Sequence, residues 1–202
     1  MNKEEPDYSD SLLDPENILQ LYAMGAFPMA ESKESDKVNW YLPKIRTIIK
    51  FPKFNIPRSL NKHLQSDDYE VKYSYDPERV IHLCAEREST WISPRLITAY
   101  RNLIELDFLH SVEIYRNNEI AGGLYGISIK GAFFGESMFT KVPQSSKIAL
   151  VKLMERLRDR GYVLLDVQYI TDHLAMFGPI EIPLDEFKSL LKTAYTKNIS
   201  FL

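Results

Sequence analysis

The sequence predicts an α+β protein, and three observations support this prediction. Apolar and polar residues alternate with a period of two in residues 112–115 and 132–139, which is typical of strands. Apolar residues recur every three or four positions in residues 94–106 and 147–160, which is typical of helices. Three strand-like segments follow one another before helices and strands begin to alternate. The 202 residues, 45% of them hydrophobic, suffice for one domain or for two small ones.

The N-terminal part of the chain is predicted to form a small α/β lobe, residues 1–70. Asp14 and Pro15 mark a helix start, because Asp caps helix N-termini and proline fits the first turn, and Gly25 marks the helix end. The further elements predicted around this lobe are a strand over residues 47–51, a helix over 58–65 and a strand over 69–75.

The remaining residues, 71–202, are predicted to form a second domain. Ser93-Pro94 and Ser145-Ser146 are the start signals of its two longest helices. In order, its elements are helices 77–84 and 94–106, strands 112–115, 120–129 and 132–139, helix 147–160, strand 164–169, and helices 171–177 and 184–195. This order fits a domain of the acetyltransferase superfamily (GNAT-like).

Composition indicates the cellular compartment and the kinds of partner that this protein has. The single cysteine, Cys84, cannot form an internal disulfide, which favours a reducing compartment. No segment approaches the length of a membrane span, so a cytoplasmic protein is predicted. The net charge is −3, yet residues 37–66 contain no Asp or Glu. This basic segment is compatible with phosphate binding, because screening limits electrostatic reach to about 8 Å, and equally with a solvated surface.

Two carboxylates lie in otherwise apolar strands. Alternation predicts that Glu136 shares a strand face with Phe134 and Met138, and that Asp166 and Gln168 project together. A buried carboxylate is costly unless a partner compensates it. The pair therefore suggests a site that handles an amine, with a rim glutamate and a backbone-bonded aspartate as the structural alternatives.

Other catalytic templates are missing from the sequence. The four histidines lack metal-ligand spacing, and we find no phosphate loop, dinucleotide fingerprint or nucleophile elbow. Acetyl-CoA enzymes of the predicted fold usually carry a glycine-rich loop before the long helix, whereas residues 141–147 contain no glycine. Trp91, just before a helix, fits either a hydrophobic staple or a stacking surface.

Several ordered segments resemble the leucyl/phenylalanyl-tRNA–protein transferases. The matching segments are Tyr22-Ala23-Met24-Gly25-Ala26-Phe27-Pro28, Thr90-Trp91-Ile92, Gly122-Gly123-Leu124-Tyr125-Gly126, Phe134-Gly135-Glu136-Ser137-Met138-Phe139, Ser146-Lys147, Asp166-Val167-Gln168 and Asp172-His173-Leu174. The resemblance implies an enzyme without metal or small cofactor, and we expect it to act as a monomer in the cytoplasm. It would transfer Leu or Phe, with Met as a further candidate, from aminoacyl-tRNA to the N-terminal amine of proteins that begin with Arg or Lys. Such transfer marks the acceptor for N-end-rule degradation.

The resemblance also implies roles for individual residues. Asp166 and Gln168 match the catalytic pair nearest the ester carbonyl. The residues implied in the aminoacyl pocket are Tyr22, Trp91, Leu124, Glu136, Met138, Leu153 and Leu165. The residues predicted to bind tRNA are Arg58 and Lys62, which match basic residues of the family, and Lys44 and Arg46 from the same basic segment. Met29 stands where well-known members carry Trp, so Trp40 or Tyr41 is expected to compensate.

These observations lead to a mechanistic hypothesis with two alternatives. Asp166 is expected to orient the incoming amine and to assist its deprotonation, directly or through water, and Gln168 to hold the acceptor or the developing oxyanion. One alternative is an acyl-CoA-dependent GNAT acyltransferase, against which the missing glycine-rich loop counts. The other is a non-catalytic module that binds RNA or N-degrons.

Overall fold

The computed structural model describes residues 11–51, 54–66 and 68–202. Residues 1–10 of the predicted N-terminal lobe lie outside the described residues. A short 3-10 turn at Ser11–Leu13 precedes the first helix. The helices are α1 (Pro15–Ala23), α2 (Arg58–Leu64), α3 (Pro77–Ala85), α4 (Pro94–Glu105), α5 (Ser145–Arg160), α6 (Asp172–Ala175) and α7 (Leu184–Tyr195). The strands are β1 (Phe27–Ala30), β2 (Val38–Tyr41), β3 (Ile45–Ile49), β4 (Glu70–Tyr73), β5 (Leu109–Arg116), β6 (Glu119–Ile129), β7 (Ala132–Thr140), β8 (Leu164–Gln168) and β9 (Ile180–Pro183).

Seven of the strands form one sheet, in the order β4-β5-β6-β7-β8-β3-β9. All neighbours in it are antiparallel except β7 and β8, which run parallel and are joined through α5. A parallel pair needs such a crossover, because a tight turn cannot join its ends. Strands β1 and β2 form a separate hairpin.

The predicted α+β class and the GNAT-like order are confirmed. The antiparallel run β5-β6-β7, the crossover helix α5 and the parallel strand β8 follow one another as the sequence indicated. The β1–β2 hairpin and β9 were not predicted. The domain boundary at residue 70 stays a prediction, although β3, on its N-terminal side, pairs with β8 inside the large sheet.

The sheet separates two apolar clusters. One cluster packs helices α1, α3, α4 and α7 against the first face, with Tyr22, Tyr100 and Phe134 at its centre. The other packs α5 and α2 against the opposite face, with Leu124, Leu153 and several neighbours buried there. Both faces are covered, which explains why β5 and β6 are buried along almost their entire length.

Local sequence signals account for the helix ends. The side chain of Asp76 accepts a hydrogen bond from the backbone N–H of Arg79, and Pro77 occupies the first turn of α3. Helix α5 ends at Gly161, whose φ of 84° is the left-handed conformation that glycine adopts without strain. Among the described residues, no helix is both long enough and apolar enough to cross a membrane.

Two irregularities shape the centre of the sheet. The pairing of β7 with β8 stops at Phe134 and Asp166, so the rest of β7 has no strand beside it on that side. In the β6–β7 pair the register shifts between Tyr125 and Gly126, which leaves Glu136 as the extra residue of a β-bulge. A side chain at Gly126 would meet the Phe134 carbonyl oxygen at 2.3 Å, so the strands close around the bulge only with glycine there.

Candidate active site

A cavity of about 490 Å³ opens where β7 and β8 separate, and we call it the β7–β8 cavity. It lies within the size range of small-ligand sites. One wall is apolar and includes Leu124, Met138, Leu150, Leu153, Leu165 and Leu174. Polar side chains line other parts, namely Arg87, Glu136, Ser137, Ser146, Gln168 and His173. Met29, Trp91 and Tyr169 also line the cavity, on the side of the β1–β2 hairpin.

Glu136 is the one carboxylate among the described residues that line this cavity. The predicted common face of Phe134, Glu136 and Met138 is wrong. Phe134 packs in the cluster with Tyr22, whereas Met138 packs in the opposite cluster with Leu124. The bulge is the physical reason, because one extra residue breaks the two-residue period and re-aims the side chains that follow.

Neutral donors hold the Glu136 carboxylate. The Tyr100 hydroxyl donates to Oε2 at 3.1 Å, and Gln168 Nε2 donates to Oε1 at 3.2 Å. Burial raises the pKa of Glu136 to about 7, hydrogen bonds from Tyr22 and Tyr100 counteract part of that rise, and the nearby Asp166 charge adds to it. Burial also raises the pKa of both tyrosines well above its usual value, so they remain protonated donors. Glu136 can therefore exchange a proton near neutral pH.

Asp166 lies in a different environment from the one predicted. Its side chain is fully buried and does not line the cavity. Arg46 Nε donates to Oδ1 at 2.8 Å and Nη2 donates to Oδ2 at 2.5 Å, which is a bidentate ion pair. Direct contact of Asp166 with an incoming amine is therefore wrong for this structure, because both carboxylate oxygens are already engaged away from the cavity.

The same ion pair corrects the prediction for Arg46. Its side chain is 0% exposed, its Nη1 donates to the Gly25 carbonyl at 2.6 Å, and its guanidinium lies 4.6 Å and 4.7 Å from the ring centres of Phe27 and Phe187. A guanidinium enclosed on all sides does not reach RNA phosphates. Arg46 is a structural partner of Asp166 and not part of an exposed basic surface.

Gln168 does not project beside Asp166 as alternation predicted. Its φ of 57° is the left-handed conformation, which ends the regular strand. Its backbone N–H donates to Asp166 Oδ1 at 3.0 Å, while its side chain turns into the cavity and reaches Glu136. Asp166 thus stabilises the bend that aims the Gln168 amide.

The predicted aminoacyl-pocket residues divide into two groups. Trp91, Leu124, Glu136, Met138, Leu153 and Leu165 line the cavity together. Tyr22 does not line it. Tyr22 is fully buried behind Glu136, with its hydroxyl 3.3 Å from that of Tyr100.

Trp40 and Tyr41, which are expected to compensate for Met29, lie away from the cavity. Trp40 packs edge-on against Tyr22 and Tyr41 stacks on Phe27, and neither lines the cavity. Tyr169 does line it, is 44% exposed, and packs edge-to-face with Phe27 at 5.7 Å. The position of Tyr169 follows from the bend at Gln168, and no periodic pattern in the sequence predicts that bend.

The other predicted tRNA-binding residues are exposed. Arg58 and Lys62 lie on α2, and Lys44 lies in the turn between β2 and β3. Within the described part of the chain, none of the three has a carboxylate within 4.0 Å. Their charges are therefore free to meet an anionic ligand.

Several cavity residues were not predicted from the sequence. Ser146 Oγ lies 3.4 Å from His173 Nε2 and accepts a hydrogen bond from Thr140 Oγ1 at 2.5 Å. Burial lowers the pKa of His173, and the Lys147 charge lowers it further, so the imidazole is neutral at pH 7. Arg87, in the loop between α3 and α4, also lines the cavity. No spacing signal connects these residues, which come from four separate segments.

The family models and the curated relatives that match this chain agree on one family. The family model described as "Leucyl/phenylalanyl-tRNA protein transferase" matches residues 48–192, and the model of that family's N-terminal domain matches residues 11–44. A leucyl/phenylalanyl-tRNA–protein transferase from Gloeobacter violaceus is 44% identical over 182 residues, which cover 90% of this chain and 94% of that protein. One from Nitrobacter winogradskyi is 44% identical over 197 residues, covering 96% and 88%. A solved structure of L-PGS from Bacillus licheniformis matches with a TM-score of 0.42 at 14% identity, over 89% of this chain and 62% of that one.

Proposed function

Because this chain belongs to the leucyl/phenylalanyl-tRNA–protein transferase family, we propose that the β7–β8 cavity is where it transfers Leu or Phe from aminoacyl-tRNA to the N-terminal amine of a protein. One observation supports this use of the cavity above the others. A single ionisable carboxylate with a pKa of about 7 stands beside an apolar wall, as a site for an amine and an apolar amino-acid side chain requires.

The apolar wall suits the side chain of the donor amino acid. Leu124, Met138, Leu153 and Leu165 present flexible, mostly γ-branched groups on the α5 side of the sheet. Such groups accept unbranched or γ-branched side chains and fit β-branched ones less well, because β-branched side chains are stiff near the backbone. Leu, Phe and Met are the donors that this wall favours.

In this proposal, Glu136 accepts the proton that the acceptor's N-terminal ammonium loses. The reacting amine nitrogen attacks the ester carbonyl carbon, the bond from that carbon to the ribose oxygen breaks, and an N–H proton ends on the leaving ribose oxygen. An N-terminal ammonium, with a pKa of about 7.7–8.0, must first lose a proton. Glu136 lines the cavity and can accept that proton at neutral pH.

Asp166 acts through Gln168 in this proposal. The Arg46–Asp166 ion pair fixes the bend at Gln168, whose amide then holds the Glu136 carboxylate. Asp166 is therefore a positioning residue and does not touch the substrates. Since an aminoacyl ester is already activated, orientation and proton acceptance suffice, and the proposal needs no metal or small cofactor.

The exposed basic residues suit the tRNA. Arg58, Lys62 and Lys44 provide charges without carboxylate partners in the described residues, and α2 packs beside α5, which forms the apolar wall. Each phosphate contact releases counterions, so affinity for tRNA should fall steeply with salt. Reversing the charges of Arg58 and Lys62 together should flatten that slope. Filter binding across a salt series measures it, and an unchanged slope would remove α2 from the proposed interface.

We propose further that the acceptors begin with Arg or Lys, that the product enters N-end-rule degradation in the cytoplasm, and that the enzyme acts as a monomer. The test supplies tRNA charged with labelled leucine together with peptides that begin with Arg, Lys or Ala. An N-acetylated Arg peptide is the control that lacks a free amine. Label should appear only in the free Arg and Lys peptides.

The other outcomes separate the alternatives. Label in all free peptides alike would contradict the acceptor preference but not the transfer. No label in any peptide, with tRNA still bound, would indicate a binding module. Acetyl transfer from acetyl-CoA to the same peptides would indicate a CoA-dependent acyltransferase.

A further inference from the structure

Arg87 is a fixed cation on the lining of the β7–β8 cavity. It lies in the loop that joins α3 to α4, four residues before Trp91. Its Nε donates to the Cys84 carbonyl at 3.2 Å, and its Nη2 donates to Ser137 Oγ at 2.6 Å. These two bonds hold the guanidinium against β7 at Ser137, the residue that follows Glu136 in the chain.

The charge of Arg87 has no counterion among the residues that the structure describes. Both of its acceptors are neutral, and no carboxylate of the described residues lies within 4.0 Å of it. Other arginines are paired differently: Arg46 binds Asp166, Arg101 binds Glu78 and Arg116 binds Asp68. Arg87 keeps the donors of Nη1 and one donor of Nη2 for a ligand. A planar guanidinium with free donors matches the oxygens of a phosphate.

The proposed donor brings a phosphate to this place. The aminoacyl ester sits on the ribose of the last nucleotide, and the 5′ phosphate of that nucleotide is on the other side of the same ribose. Ser137, which binds Arg87, directly follows Glu136 in the chain, and Arg87 and Glu136 both line the cavity, so the cation and the proton-accepting carboxylate face the same space. The side chain of Arg87 is exposed and accessible from the cavity.

We propose that Arg87 binds the 5′ phosphate of the terminal nucleotide of the aminoacyl-tRNA, and that this contact sets the depth at which the ester enters the cavity. This inference rests on the proposed function, because it takes its anion from the proposed donor. Loss of the contact weakens binding of the donor and leaves the acceptor site intact.

Two small donors test the inference, namely 3′-leucyl-adenosine and the same compound with a 5′ phosphate. With the wild-type protein, the phosphate should lower the donor KM about 10- to 100-fold, as expected for a charge-assisted hydrogen-bonded contact. With Arg87→Met the two donors should have equal KM values, and Arg87→Lys should restore part of the difference. Arg101→Met, which removes an arginine that does not line the cavity, is the matched control and should keep the wild-type difference.

A binding measurement without turnover gives an independent result. Adenosine 5′-phosphate should bind the wild-type protein at least 10-fold more tightly than adenosine, and Arg87→Met should abolish the preference. If Arg87→Met does not fold, two milder variants serve instead. Ser137→Ala removes an acceptor that holds the guanidinium, and Arg87→Lys replaces the planar guanidinium with an ammonium group, so each should reduce the preference for the phosphate.

The outcomes distinguish this inference from the proposed function. If the wild-type protein transfers leucine from neither donor nor from charged tRNA, the proposed function fails. If it uses both small donors with equal KM, or if Arg87→Met raises both KM values by the same factor, the function stands and Arg87 does not bind the phosphate. A change confined to the KM of the acceptor peptide would likewise overturn the inference and assign Arg87 to the acceptor.

Discussion

Glu136 and Asp166 lie on neighbouring strands, β7 and β8, yet their surroundings differ completely. Asp166 is fully buried and is neutralised by a bidentate bond to Arg46. Glu136 borders the cavity and is held only by uncharged donors. In the proposed mechanism, proton transfer belongs to the carboxylate whose charge the protein leaves uncompensated, and the compensated carboxylate provides rigidity.

The largest effect should come from breaking the compensated pair. Asp166→Ala leaves Arg46 buried without a counterion, and we expect a loss of about 3–5 kcal/mol in the free energy of unfolding. Arg46→Met should cost a similar amount. The double variant Arg46→Met/Asp166→Leu removes both charges and should recover most of the stability, as urea denaturation would measure. Single variants as stable as the wild-type protein would contradict the assignment of a structural ion pair.

This comparison also affects how loss of activity is understood. An inactive Asp166→Ala protein that is also unstable does not identify Asp166 as a catalytic base. Transfer should remain low in the stable double variant, because the bend that aims Gln168 has lost the Asp166 carboxylate. If the double variant transfers leucine at the wild-type rate, the proposed positioning role of Asp166 is wrong.

The uncompensated carboxylate should control the rate. Glu136→Gln keeps the size of the side chain and removes the proton acceptor, so we expect transfer to fall about 100-fold or more with little loss of folded protein. In the wild-type protein, kcat/KM should rise as the pH passes through about 7, because the ionised form is required. Single-turnover rates from pH 5.5 to 8.5 measure this rise. The same rise in Glu136→Gln would place the titration on another group.

The ionised form of Glu136 should also lower the free energy of unfolding. The pKa of Glu136 is about 7 in the folded protein and near the ordinary glutamate value of about 4.3 when unfolded. The folded state therefore binds more protons between these values, and its stability falls as the pH rises from 4.3 to 7. At pH 8 Glu136→Gln should be more stable than the wild-type protein by roughly 2–4 kcal/mol, and near pH 4 the two should agree. Denaturation curves that differ equally at both pH values would contradict the raised pKa.

The smallest effect should concern the apolar wall. Leu and Ile differ only in where their side chain branches, and such differences in an apolar pocket are worth about 1–3 kcal/mol. We expect kcat/KM for leucyl-tRNA to exceed that for isoleucyl-tRNA by about 10-fold or more. Donors used equally would show that the wall does not select the amino acid. Misacylated forms of one tRNA provide the control, because they keep the RNA contacts constant.

Regular periodicity explains which parts could be predicted. Helices α4 and α5 and the strands between them carry clear three-to-four- and two-residue patterns, and they were placed correctly. The β1–β2 hairpin and β9 have four residues in each strand, which is too short for a pattern to emerge. Hydrogen bonds to distant segments, such as that of Ala30 to the Trp91 carbonyl, contribute to their stability instead.

The site departs from prediction where the backbone departs from regular geometry. The predicted alternation of side-chain directions runs through Glu136 and Gln168, but a bulge at the first residue and a left-handed conformation at the second interrupt it. Both irregularities depend on the partner strand or on a side-chain contact that comes from elsewhere in the chain. The sequence could indicate which residues carry the chemistry, but not which direction each side chain takes.

The bulge at Glu136 makes the number of residues in β7 a structural requirement that is separate from their identity. Deleting Ser137 would remove the extra residue and restore regular pairing with β6, while the residues on both sides of the deletion keep their pairing partners. Conservative substitutions along β7 keep the bulge, whereas an in-frame loss of one codon at this point would remove it and change how the backbone presents Glu136 to the cavity. A library that varies this strand should therefore hold its codon number constant.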